Sequence, residues 1–139
     1  MPELDFALLS DYVRTEGEGG VAHVIAAGMN TITAQQVPTG QNVGLLVRLS
    51  FTRNECDRPH RVEVIFQDVD GERLVNVGGV VTPRWSDDLP VAWRAGILWG
   101  LNIPLPLPRY GVYALELLVN DNSFATLDLR VVPPPEAAE

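Results

Sequence analysis

The sequence predicts an all-β protein, an antiparallel β-sandwich of about eight strands with at most one short helical turn. Three observations predict it. Apolar residues alternate with their neighbours over most of the chain, as in half-buried strands. Gly, Pro, Asn and Asp clusters interrupt that alternation at short spacing. No long stretch repeats its apolar residues at helical spacing. With 139 residues, one domain burying about two-thirds of its unfolded surface is expected. That domain spans residues 1–132, and 133–139 form an extended Pro/Glu tail.

Leu4, Phe6 and Leu8 open the first strand, Gly17 to Gly20 break the chain, and Val21 to Ile25 resume it. Val43, Leu45, Val47, Leu49 and Phe51 alternate with Gly44, Leu46, Arg48, Ser50 and Thr52, so one face of that strand is apolar. His60, Val62, Val64 and Phe66 form the next apolar face. Asp68-Val69-Asp70-Gly71 then supplies turn chemistry before a strand over Arg73 to Val81, where Gly78-Gly79 marks an irregularity. Ser86-Asp87-Asp88-Leu89-Pro90 is the one place for a helical turn. Tyr113, Leu115, Leu117 and Val119 pair as a hairpin with Ala125, Leu127, Leu129 and Val131 across the turn Asn120-Asp121-Asn122.

Trp93 to Pro108 carries the most specific pattern. Trp93, Ala95, Ile97, Trp99, Leu101, Ile103, Leu105 and Leu107 occupy one register, and Pro104, Pro106 and Pro108 fall in the other. Residues two apart in an extended chain point their N–H groups to the same side. The prolines therefore delete the donors along one edge and leave the other edge able to pair, which blunts an exposed sheet edge. The same pattern also allows an apolar ridge that docks on another subunit, with Ile97, Trp99, Leu101, Ile103, Leu105 and Leu107 as its contacts.

Gly111-Val112-Tyr113, followed by Ala114-Leu115-Glu116-Leu117, resembles the Gly-x-Tyr signature of immunoglobulin-like sandwiches, including related Greek-key folds. The resemblance implies that the Tyr113 hydroxyl closes a corner on nearby backbone. Leu115 stands where an immunoglobulin domain has its second cysteine. More broadly, the opening Leu4 to Val13, the Asp-Val-Asp-Gly turn and the closing hairpin resemble a family of small, uncharacterised bacterial β-sandwich proteins. That likeness implies a compact β domain and brings no catalytic residues with it.

Composition narrows the partners. Ten cations against 18 acids give a net charge of −8, and all ten are Arg. This balance excludes a basic footprint for nucleic acid or an anionic membrane surface. Gly19 to Val47 lacks charge but is interrupted by amides, so it does not read as a membrane span. Two acids before residue 6 and no basic start argue against a secretory signal, so a cytoplasmic setting is expected. A single cysteine forms no intrachain disulfide or multi-cysteine zinc site.

Candidate chemistry is sparse. Cys56 and His60, with Asp57 between them, have the residue types of a nucleophilic pair or a weak metal site. Neighbouring acids raise a thiol's pKa, however, and an ordinary surface loop accounts for the segment better. His23 reads as a buried or half-buried structural histidine. Asp68-x-Asp70-Gly71 begins like a calcium loop, but position twelve is Gly79, so that motif fails. Asp57, Asp87, Asp88 and Asp121 would have to cluster with Asp68 and Asp70 for another cation site. Trp85 beside Arg84 is the expected exposed aromatic for a sugar or other small ligand, while Trp93 and Trp99 help fill the core or line a groove. No phosphate loop, catalytic triad pattern or dinucleotide fingerprint occurs.

The expected function is a non-catalytic association module, binding a protein partner or itself, without catalytic, cofactor-binding or metal-binding residues. A small-ligand or carbohydrate-binding domain using Trp85 and Arg84 is the alternative.

Overall fold

A computed structural model describes residues 1–16 and 21–135. The expected break at Gly17–Gly20 and the last four tail residues lie outside the described residues. Among the described residues there are ten strands: β1 (Glu3–Ser10), β2 (Tyr12–Glu16), β3 (Val21–Ile25), β4 (Thr31–Thr33), β5 (Thr39–Phe51), β6 (His60–Asp68), β7 (Arg73–Val81), β8 (Ala95–Leu107), β9 (Gly111–Val119) and β10 (Asn122–Val132). The all-β class holds, with two strands more than the alternation indicated. Asp11 splits the opening segment, its N–H bonding the Ile25 carbonyl at 2.9 Å, so β2 leaves β1 and pairs with β3. β4 is too short to show a period.

The strands form a three-stranded sheet β1-β5-β8, a five-stranded sheet β4-β10-β9-β6-β7 and the hairpin β2-β3. All pairings are antiparallel except β4 with β10, which is parallel. The helical turn expected at Ser86–Pro90 is instead a hydrogen-bonded turn closed by Leu89 N–H on Ser86 O at 3.0 Å. The helical segment among the described residues is a 3-10 turn at Arg53–Glu55.

Both larger sheets feed one core. From β5 come Val43, Leu45, Val47, Leu49 and Phe51; from the facing sheet come Val62, Val64, Phe66, Tyr113, Leu115, Leu117 and Leu129, all buried. The ladder β5–β8 runs in one register from Thr39↔Leu107 to Phe51↔Ala95. Because side chains alternate, that register points Ile97, Trp99, Leu101, Ile103, Leu105 and Leu107 inward. Ile103, Leu105 and Leu107 are 2%, 1% and 0% exposed, and the other three are half-buried against the core. The docking ridge is therefore corrected: Ile103, Leu105 and Leu107 belong to the core, and Ile97, Trp99 and Leu101 pack against it. Pro104 and Pro106 are exposed, as is Pro108 just beyond the strand, and β8 is an edge strand. Their missing N–H groups fall on its open side, since Ile103, Leu105 and Leu107 supply the donors toward β5.

The hairpin β2-β3 covers the outer face of β5 and β8. Val13 is its buried anchor, and Asn102 clamps it like a piece of neighbouring strand. The Asn102 Oδ1 accepts Val13 N–H at 3.0 Å and its Nδ2 donates to Val13 O at 2.8 Å. Gly44 and Gly100 make this approach possible. A Cβ on Gly44 would lie 2.8 Å from Val13 Cγ2 and 2.9 Å from Val13 N, and one on Gly100 would lie 2.7 Å from Val13 Cγ1.

Two local devices fix the ends of β9, a buried tyrosine corner and an exposed turn. The Tyr113 hydroxyl donates to Arg109 O at 2.6 Å, forming the backbone corner, and its ring stacks on Phe66. At the opposite turn, Asn120 and Asp121 take φ of 50° and 68°, the backbone of a two-residue hairpin that Asn and Asp tolerate.

Gly44→Ala is expected to cost about 1–3 kcal/mol by forcing Val13 and its backbone off the sheet. Gly96→Ala meets the flexible end of Arg48 instead and should cost clearly less. Urea midpoints of the two variants check this; equal shifts would contradict the clamped hairpin.

Candidate functional site

Thirteen residues between β7 and β8 fold against the 3-10 turn and create an open groove of about 450 Å³. Thr52 and Arg53 line one side, while Trp85, Asp87, Leu89, Val91, Ala92, Trp93 and Arg94 line the rest. The groove stands at the end of the β5–β8 ladder, because Phe51↔Ala95 is its last pair. Local sequence explains the loop. Pro83 and Pro90 withhold donors, Leu89 packs on the core, and Trp93 N–H bonds Pro90 O at 2.9 Å. That bond holds Trp93 in a turn before the strand begins.

Trp93 is consequently 63% exposed. Of the two roles expected for Trp93, filling the core or lining a groove, it takes the second, since the alternation of β8 starts at Ala95. Trp85 is half-buried and packs on the core, with the Arg53 guanidinium 5.9 Å from its ring centroid. Of the two expected ligand contacts, Trp85 lines the groove but is half-buried rather than the exposed tryptophan expected, and exposed Arg84 does not line it. Arg53, Val91 and Arg94 were missed: Val91 and Arg94 flank Trp93 in sequence, whereas no local signal links Arg53 to the tryptophans.

Arg94 is committed to structure. It donates to Ser50 O at 2.9 Å, Ser50 Oγ at 3.2 Å and Met1 O at 3.2 Å, and it lies 3.6 Å from both Glu3 and Glu55 carboxylates. Glu55 accepts from Thr52 N–H at 2.7 Å and Thr52 Oγ at 2.9 Å, and pairs with the Met1 ammonium at 2.8 Å. Burial pushes its carboxyl up, but hydrogen bonds from the ammonium and Thr52, with the ammonium's charge, outweigh burial and hold it at about 2.

The other candidates are structural as well. Cys56 is buried in the core rather than in a surface loop; burial pushes its thiol pKa up, and Asp57 and Glu55 push it further. That is the wrong direction for a nucleophile. His60 is buried against Phe51, with both ring nitrogens occupied. Its Nε2–H donates to Glu55 O at 2.7 Å. Asn120 Nδ2 donates to Nδ1 at 2.9 Å, while Asn120 Oδ1 accepts Arg61 N–H. A carbonyl accepts only, so these partners select the neutral Nε2–H tautomer. His23, expected inside, is exposed on the hairpin and lies 3.3 Å from Glu16.

Asp68 caps its own turn. Its Oδ1 accepts from Asp70 N–H at 2.9 Å and Glu72 N–H at 3.0 Å, and its Oδ2 meets Arg109 at 3.0 Å. Among the described residues, no three His, Cys, Asp or Glu side chains gather as metal ligands, so the turn aspartates do not assemble. No helix of the described residues is long and apolar enough to cross a membrane.

The profile of the family of unknown function DUF6941 matches residues 5–132, and the chain belongs to that family. A search of curated proteins finds no match. Among solved structures, the C-terminal domain of Wzt aligns at 12% identity and a TM-score of 0.50, covering 94% of this chain and 73% of that one. That likeness concerns fold alone. Alkylpurine DNA glycosylase AlkC of Pseudomonas fluorescens, bound to DNA containing an abasic site analog, aligns at 9% identity and a TM-score of 0.42, over 94% and 30%.

The depressed Glu55 pKa sets an acid limb on stability. A folded value of about 2 against an ordinary 4.5 stabilises the fold above pH 4.5, and that contribution is lost as pH falls toward 2. Glu55→Gln should flatten this part of the pH–stability curve, measured by urea unfolding at stepped pH. An unchanged slope would contradict it.

Proposed function

We propose that this member of DUF6941 is a non-catalytic β-sandwich domain that holds a small sugar-like ligand in the Trp85–Trp93 groove. The observation that carries this reading is Trp93, 63% exposed beside half-buried Trp85 in one concave site. Water gains by losing an exposed indole face, and a sugar ring offers an apolar face to cover it and hydroxyls for the polar rim. Arg53, Asp87 and Thr52 form that rim.

The sandwich, of immunoglobulin-like character, is supported by the shared core of the two sheets and the Tyr113 corner. A cytoplasmic setting fits a single buried, unpaired cysteine.

Trp93→Ala should weaken binding about tenfold or more and change stability by no more than about 0.5 kcal/mol. Tryptophan fluorescence titrations against a panel of methyl glycosides test the reading. A silent panel, or a response that survives Trp93→Ala, would refute it.

Self-association is a second reading, moved from β8 to the hairpin. Tyr12, Val21 and Ile25 are exposed on its outer face, and Tyr12 and Ile25 are cross-strand partners. Light scattering after size exclusion should then give a dimer that Ile25→Glu dissociates by placing a charge in the apolar patch. A monomer at high concentration removes this reading.

A further inference from the structure

The two guanidinium groups of the groove have different duties. Arg94 is spent on Ser50, Met1, Glu3 and Glu55, as described above. Arg53 is 73% exposed, and its carboxylate contact, Asp87, is 3.9 Å away and itself 92% exposed. A contact that long between two solvated groups is weak. The second restraint on Arg53 is the Trp85 ring, 5.9 Å below its guanidinium carbon. A guanidinium held over an indole at that distance keeps its planar fork of N–H donors free at the edges.

The groove therefore places an uncovered indole, Trp93, in the same concavity as an oriented, weakly paired donor fork. A ring with an apolar face and an attached carboxylate complements both. We infer that the groove selects a sugar acid over the matching neutral sugar, with Arg53 as the specificity-determining residue; this rests on the groove reading given above. The ligand carboxylate takes two parallel hydrogen bonds from Arg53 in place of the distant Asp87 contact. The −8 charge of the chain opposes an anion at long range, so the selectivity is local and modest, about fivefold.

Calorimetric or NMR titration of the full chain with methyl glucuronide and methyl glucoside tests this. The glucuronide should bind about fivefold more tightly. Arg53→Gln should remove that preference, weakening the glucuronide about fivefold more than the glucoside. Asp87→Asn, which removes the competing carboxylate, should widen the preference for glucuronide over glucoside by about twofold to threefold. Equal wild-type affinities overturn the inference and leave the groove reading standing, as does an Arg53→Gln variant that weakens both sugars alike. Binding of neither sugar overturns both.

Discussion

The register of β5 against β8 is the constraint on which the rest of this structure depends. It runs from Thr39↔Leu107 to Phe51↔Ala95, and a slip of one residue would turn every side chain of β8 to the opposite face. In the observed register, Val43, Leu45, Val47, Leu49 and Phe51 of β5 and Ile103, Leu105 and Leu107 of β8 point at the facing sheet. The opposite face receives Gly44, Gly100 and Asn102, which together seat the β2-β3 hairpin. The open edge receives Pro104 and Pro106. One alignment thus determines the core, the covered outer face and the guarded edge.

The same ladder positions the groove. Where it ends at Phe51↔Ala95, Thr52 and Arg53 leave one strand beside the point where Trp93 and Arg94 enter the other. Arg94 ties that end to the opening segment through Ser50, Met1 and Glu3. The groove rim is therefore mounted on a rigid sheet end, although the loop carrying Trp93 has no regular structure. Much of the titratable chemistry nearby is consumed in this scaffolding. Glu55 holds the turn, His60 joins Glu55 O to Asn120, and Cys56 is buried with a raised pKa.

Period-two alternation made the long strands legible, because burial of one face demands it. Pro104, Pro106 and Pro108 likewise disclosed an edge strand. Three features carried no such signal. β4 is only Thr31–Thr33, and it is held by a parallel neighbour distant in sequence. The turn at Asp11 depends on a bond to Ile25, so the opening segment read as continuous. The apolar teeth of β8 looked available for docking because alternation reports which residues share a face, not what covers it. Trp93 and Trp99 share a register in the sequence but part in the fold: a bond to Pro90 O takes Trp93 out of the ladder and into the groove. The candidate site was legible in residue type, through Trp85, and illegible in composition. Arg53 is more than thirty positions from Trp85 in the chain, and only the fold brings them together.

Indole N–H resonances offer the most direct test of the central claim, because the three tryptophans occupy three different environments. With nitrogen-15 labelled protein, methyl glucuronide should move the Trp93 resonance most and the Trp85 resonance less. Trp99, packed against the core on β8, should stay in place. A ligand that shifts Trp99 while Trp93 is unmoved, or shifts confined to the hairpin face around Tyr12 and Ile25, would contradict the account.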